Sequence, residues 1–347
     1  MAVGLSLSAV SGLAEPTSAD LRPWVPVVDS SRDAGVVTVY FENDYFGGND
    51  RHYTNGLKVV WLSADRTGWE QDGWRQRFAE GLPMVNRSED QKNIGVAFGQ
   101  AMYTPQNTRA TIPDPNDRPY AGWSYLELAF VSKTPFVADT LAFQVGVVGR
   151  HSYAQDTQRV VHEWLNSTRP NGWEYQLHDE IGLNVVFERR WRHYGRTLGD
   201  TFGVDLIPHL GLSLGNVQTY ANAGGTARFG VNLPSDFGVE LVRGSSVGAG
   251  PMDNFDPRVA SDRDWSLFFF AGADGRVVGR DIFLDGNTFR DSPSVDKEYF
   301  VSDLSLGVGL IAGRWQLTFT QVRRTKEFKS QPKPYNDFGS VTISRAI

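Results

Sequence analysis

The sequence predicts an all-β protein, a transmembrane antiparallel β-barrel of about twelve strands with a short helix in a long extracellular loop. Three observations carry this expectation. Apolar residues recur at every second position through most of the chain, the residues between them are charged or amide-bearing, and beyond the N-terminus no apolar run approaches the roughly 18 residues that a membrane-spanning helix needs. A period of two places alternate side chains on opposite faces of a strand, so a chain with this pattern crosses a bilayer, if it crosses at all, as a closed sheet.

The strands follow in order. Val37, Val39 and Phe41 alternate with Thr38, Tyr40, Glu42 and Asp44. The same period recurs at Leu57/Val59/Trp61, Ile94/Val96/Phe98, Leu126/Leu128/Phe130, Leu141/Phe143/Val145/Val147 and Leu183/Val185/Phe187. The longest run is Phe202 to Leu214, with Asp205, His209 and Ser213 on its other face, and a weaker segment spans Val217 to Phe229. Trp265/Leu267/Phe269, Leu304 to Leu310, Leu317/Phe319 and Val341/Ile343/Ile347 complete the set. Segments of this length suit tilted strands crossing an outer membrane.

A soluble β-sandwich also alternates, and the second face separates the two. It carries Glu42, Asp44, Glu127, Gln144, Asn184, Glu188, Asp205, His209, Asp274 and Arg276, too polar for a dry core and suited to a wet lumen. The connections divide into tight ones (Lys133 to Val137, Gly215-Asn216, Gly313-Arg314) and long ones (Ala64 to Gln91, His151 to Ile181, Asn232 to Arg263). Short turns on one rim and long loops on the other are therefore expected. Residues 36–347 read as one barrel domain, 15–35 as a lead-in, and 1–14 as a signal-peptide remnant with Gly12-Leu13-Ala14 as a small-x-small cleavage site.

Composition excludes several functions. The net charge is -6, with Lys and Arg spread along the chain, so there is no electrostatic footprint for nucleic acid. The absence of cysteine removes disulfides, thiolate metal sites and cysteine nucleophiles together. Gly211-Leu212-Ser213-Leu214-Gly215 matches a nucleophile-elbow pattern literally, but it ends a long strand and no histidine follows His209.

Polar clusters concentrate between strands. Glu42-Asn43-Asp44 and Asp50 to Gly56 flank the first connection, where carboxylate and amide oxygens can hold a hard cation such as calcium, although a polar hairpin loop has the same composition. Asp117 to Trp123 reads as a loop closing into a girdle strand. In the loop from Gly149 to Glu180, residues Asp156 to Leu165 can form a helix on which Gln158 and His162 share a face and Val161, Trp164 and Leu165 form an apolar stripe. A helical histidine is more commonly a surface residue, so this feature acquires meaning only in combination.

In order and spacing these stretches, with Tyr103-Thr104-Pro105, Gly146 to Gly149 and Gly172-Trp173-x-x-Gln176-Leu177-x-x-Glu180, resemble the lipid A 3'-O-deacylase family of outer-membrane proteins. The resemblance runs from Val36 to the C-terminus. It implies a twelve-stranded barrel with a calcium-dependent active site between the wall and a loop helix, acting on lipid A of lipopolysaccharide among outer-membrane lipids, with the active site facing the extracellular leaflet. Residue by residue, it implies His162 as general base on a water, Asn43 and Asp44 as the essential pair with calcium nearby, Thr54 steadying the oxyanion, and Gln158 in the site. The family's oxyanion lysine has no counterpart, since residues 101–132 hold no lysine; Arg118 or Arg109 would substitute, and arginine is not equivalent to lysine at a tight site. Gly149-Arg150 stands where Gly-Pro is usual, and the chain ends in Ile347 rather than Phe. A monomer and no nucleic-acid partner are expected. A phospholipid acyl hydrolase and a non-enzymatic channel or structural barrel remain alternatives.

Overall fold

The computed structural model describes residues 34–44, 52–66, 77, 81, 91–164, 170–192, 194–198, 202–242, 247, 248, 250–262 and 264–347. The proposed signal segment 1–14, most of the connection from Ala64 to Gln91, Leu165 and His193 lie outside them, as do the side chains of His52, Tyr53, Thr54 and Trp164.

The strands are β1 (Val36–Asn43), β2 (His52–Leu62), β3 (Gln91–Thr104), β4 (Ala121–Lys133), β5 (Val137–Val148), β6 (Glu180–Trp191), β7 (Tyr194–Leu198), β8 (Phe202–Gly215), β9 (Gln218–Val231), β10 (Trp265–Asp281), β11 (Phe300–Ala312), β12 (Trp315–Thr325) and β13 (Tyr335–Ala346). Each pairs antiparallel with its neighbours, and β1 pairs with β13. β6 and β7 pair with successive stretches of β8, so they form one interrupted strand and the sheet closes as a twelve-stranded barrel without an edge. The helix α1 (Ala154–Trp164) lies between β5 and β6. The weaker segment near Val217 is the full strand β9.

The alternation read from the sequence is the alternation of the wall. Val39, Val59, Phe98, Leu126, Leu183, Leu212, Phe269, Leu306 and Phe319 are exposed and form an outer apolar belt. Glu42, Glu127, Gln144, Asn184, Asp205 and Asp303 are buried on the inner face. Ser213 is an inner-face strand residue whose hydroxyl donates to the Gln218 carbonyl, so the elbow-like pattern makes no elbow. The turn between β11 and β12 has two residues, with Gly313 at φ 53°, a conformation glycine adopts without strain.

Two expectations are corrected. Because strands alternate in direction, the long connections between β2 and β3 and between β9 and β10 open at the end that also carries the chain termini, together with the tight turns after β4 and β11. The long connection holding α1 opens at the opposite end, beside the tight β8–β9 turn. Loop length therefore does not sort by rim. The lumen is also packed rather than water-filled. Tyr40, Val60, Ala97, Ala129, Phe268 and Phe270 point inward with the polar residues, and the β9–β10 connection folds up among them. Its Asp236 pairs with Arg228 at 2.5 Å and Arg258 at 2.8 Å, and Arg228 also binds Asp205. Such groups tolerate burial because each charge has a hydrogen-bonded partner. Among the described residues a cavity of about 120 Å³ lies against β8–β12, room for several waters, and smaller ones adjoin it beside Tyr103 and Tyr220.

Candidate active site

The site is built at the end of the barrel opposite the termini, on the outer side of the wall. On β3, Gln100 and Met102 share a face with Val96 and Phe98; on β4, Gly122 and Ser124 share a face with Leu126 and Leu128. Lower on this face Val59, Phe98 and Leu126 are 41%, 46% and 58% exposed, whereas at the rim Asn55, Gln100 and Met102 are 5%, 7% and 1% exposed. The rim positions on β3 and β4 are covered by the turn Arg150–Ser152 and the start of α1. The Ser152 carbonyl accepts from Gln100 Nε2 and from Ser124 Oγ, both at 2.7 Å. Gly122 makes the seat possible, since a Cβ there would lie 2.2 Å from Ser152 Oγ and 2.3 Å from Ala154 Cβ.

On α1 the buried residues Ala154, Gln158 and His162 are four apart, on one stripe, while Gln155, Arg159, Val160 and Glu163 are exposed. The shared face of Gln158 and His162 read from the sequence is thus the buried face, and the helix begins two residues before the expected Asp156. Gln158 Oε1 accepts from Trp173 Nε1 at 2.7 Å. Indole N–H is only a donor, so this contact fixes which end of the amide faces the tryptophan, and the amide nitrogen is turned away. That Nε2 is buried without a hydrogen-bond partner among the described residues. Trp173 packs against Tyr120 with ring centroids 4.9 Å apart, and Leu177 N donates to the Tyr120 carbonyl at 3.0 Å.

Two carboxylates outside the strands clamp these loops. Burial raises the Asp117 carboxyl above its ordinary value although Gln106 and Arg118 donate their backbone N–H groups to it. Partial burial also acts to raise Asp179, but the His151 backbone N–H at 2.8 Å and ring Nδ1 at 2.6 Å outweigh it and hold the carboxyl below the usual range.

Asn43 ends β1 opposite Asn55 on β2, which is in turn opposite Met102 on β3, itself opposite Gly122 on β4. Asn43, half-buried, shares the outer face with Phe41; Asp44, just beyond the strand, is buried. Thr54 falls at the irregularity where β2 changes register against β3 between Tyr53 and Asn55, a bulge of the kind that re-aims side chains at barrel rims. Asn43, Asp44 and Thr54 therefore gather at one strand end, and Gln158 and His162 on one helix face at the same end of the barrel.

Arg118 is not brought to that helix face. Its guanidinium lies 4.7 Å from the ring of Tyr103, an inner-face residue stacked on Phe283, and pairs with Glu327 at 3.3 Å, while Arg109 is exposed. Sequence reasoning passed over Gln100, Ser124 and Ser152, which seat the helix, and the Trp173–Gln158 bond. A polar residue breaking the apolar outer face at Gln100 and Ser124 was the available signal.

Among the described residues no group of three His, Cys, Asp or Glu could hold a metal. The donors present near the β1 end are Asp44 and the amides of Asn43 and Asn55, hard oxygens that fit calcium or magnesium with water completing the shell and exclude a soft thiophilic ion.

The model of the family "outer membrane protein LpxR" matches residues 3–347. Among solved structures, LpxR from Salmonella typhimurium superposes with a TM-score of 0.68 at 16% identity, over 90% of this chain and 100% of that one. The β domain of the Bordetella autotransporter BrkA superposes with a TM-score of 0.42 at 8% identity, over 91% and 99% of the two chains. No curated protein sequence matches significantly. With its closed barrel, its rim helix and a family match over nearly its whole length, the chain belongs to the LpxR family of outer membrane proteins.

Proposed function

We propose that the protein is a carboxylic ester hydrolase that removes the 3'-O-linked acyl chain from lipid A of lipopolysaccharide, with calcium as cofactor and one copy of the chain supplying the whole site. The observation that carries this reading is the position of His162 and Gln158: buried on the face of a helix whose first turn is seated on the outer wall, above the apolar belt. On this reading a lipid in the outer leaflet reaches that rim with its acyl chains lying along Phe98 and Leu126, so the ester would be presented without extracting the substrate from the membrane. The assembly requires α1 to run along the rim from β4 toward β1. Ala154 to His162 spans about 12 Å at 1.5 Å per residue, and three strand spacings from Gly122 to Asn43 span about 14 Å.

In this mechanism His162 accepts the proton of a water that attacks the ester carbonyl, then returns it to the leaving sugar oxygen. The Gln158 amide, whose oxygen is held by Trp173 and whose nitrogen is left without a partner among the described residues, and Thr54 would steady the oxyanion. Calcium held by Asp44 and Asn43 would supply charge against the developing oxyanion. The end of the barrel that carries α1 then faces the extracellular leaflet.

The test is fatty-acid release from purified lipid A by the detergent-solubilised barrel, with and without chelator. Activity lost on chelation and restored by calcium is the expected result; undiminished release after thorough chelation refutes the metal, and release from glycerophospholipid but not from lipid A reassigns the substrate.

A further inference from the structure

The connection between β9 and β10 does more than fill space. It rises from the end carrying the termini and is pinned as it climbs: Ser235 Oγ accepts from Arg192 Nη1 at 3.0 Å, the Phe237 carbonyl from Arg190 Nη1 at 3.1 Å, and Glu240 pairs with Arg190 at 3.1 Å. Leu241 packs beneath the cluster of Tyr103, Trp123 and Tyr125 that closes the far end of the lumen. Val242 N then donates to Glu42 Oε1 at 2.7 Å. The returning limb seats Val247 against Gly95, where a Cβ would lie 2.2 Å from Val247 Cγ1. Further down, the Gly250 and Pro251 carbonyls accept from Lys133 Nζ, and Met252 N closes the base onto the Ser235 carbonyl at 2.8 Å. From Val36 at the foot of β1 to Glu42, the climb is about 20 Å at 3.3 Å per residue.

Glu42 is the inner-face neighbour of Asn43, whose side chain lies on the outer face of the same strand end. We propose that the two described limbs of this connection, residues 232–242 and 250–262, form a strut: through the Val242 N–H it fixes Glu42, a positioning residue, and so holds the end of β1 with Asn43 and Asp44 in the arrangement that the outer-face site requires. This rests on the reading of Asn43 and Asp44 as site residues. The physical ground is that β1 ends at Asn43, where ladder hydrogen bonding to its neighbours stops, and strand ends are the part of a sheet that opens first. A charge-assisted bond from a packed segment inside the barrel adds a constraint there. The contact lies on the inner side of the wall, so the strut touches no substrate.

The experiment compares the full-length barrel with Val242→Pro, which deletes the donor, Val242→Ala, which keeps it, Glu42→Ala, and the Val242→Pro/Glu42→Ala pair. Lipid A hydrolysis, the calcium concentration giving half-maximal rate, and hydrogen exchange of the amides of residues 40–44 are read on each. Expected are a fall in kcat/KM of about 10- to 100-fold for Val242→Pro and Glu42→Ala, a raised calcium requirement, faster exchange at 40–44, near wild-type behaviour of Val242→Ala, and no further loss in the pair, because both changes break one contact. Equal losses in Val242→Pro and Val242→Ala, multiplicative losses in the pair, or unchanged exchange at 40–44 overturn the strut. A wild-type barrel without hydrolase activity sinks the functional reading instead, and exchange at 40–44 still decides the strut.

Discussion

At the scale of residues, the proposed chemistry rests on two side chains of one helix face and on a third residue that holds one of them. The Trp173 indole gives Gln158 its direction, so Trp173→Phe, which keeps the ring packing on Tyr120 and removes the donor, is expected to lower kcat by about 10-fold, the worth of one hydrogen bond of about 1.4 kcal/mol. KM should change little and the barrel should stay folded; a rate equal to wild type would show that the amide needs no such guide. The i, i+4 spacing of Gln158 and His162 makes their shared face legible in the sequence. The Trp173 contact is not, because it joins segments whose approach depends on the turn through Gly172 and on Tyr120. Arg118 shows the same limit from the other side. Its charge is visible in the sequence, but the inward register of Tyr103, over which it stacks, decides that it serves the lumen side.

At the scale of elements, the helix is held by its first turn. Gln100, Ser124 and Gly122 form a socket for the Ser152 carbonyl and Ala154, and everything further along α1, His162 included, is aimed from there. Gly122→Val puts side-chain atoms where Ser152 and Ala154 sit and should unseat α1. Hydrolysis is expected to be lost while heat-modifiable gel migration of the barrel is retained, since the β4 ladder itself accommodates valine. Full activity in this variant would mean that the helix is positioned from elsewhere. The strands are readable from alternation alone because the membrane imposes it on every one of them. Which rim each loop occupies is not, because it follows from counting strand direction rather than from loop length. The long β9–β10 connection reads as an exposed loop only until the inner-wall residues Arg228, Arg190 and Lys133 are seen to need partners.

At the scale of the whole molecule, the described part of the barrel interior is packed rather than open. An aromatic cluster of Tyr103, Trp123, Tyr125, Phe283 and Phe338 packs at one end, and the described residues of the β9–β10 connection pack inside from the other. A conducting channel needs a continuous aqueous path, and the described part of the β9–β10 connection, packed against the inner wall through Val242, Val247, Leu233 and Val239, obstructs one, so reconstituted wild-type protein should show no stable conductance in a planar bilayer. Steady single-channel openings would return the channel reading to first place. The polar inner face reads as a wet pore in the sequence because burial by a segment of the same chain leaves no local signature. The proposed function places the chemistry instead on the outside of the wall at the rim, where a lipid can reach it. The most direct measurement is therefore mass spectrometry of lipid A from cells expressing the wild-type protein or His162→Ala at matched membrane levels. The wild type should yield lipid A lighter by one ester-linked acyl chain at the 3' position, and His162→Ala should yield unmodified lipid A, consistent with a loss of about 10²- to 10⁴-fold in rate when a general base is removed. Unmodified lipid A with the folded wild type, or the same lighter species with His162→Ala, would contradict the assignment.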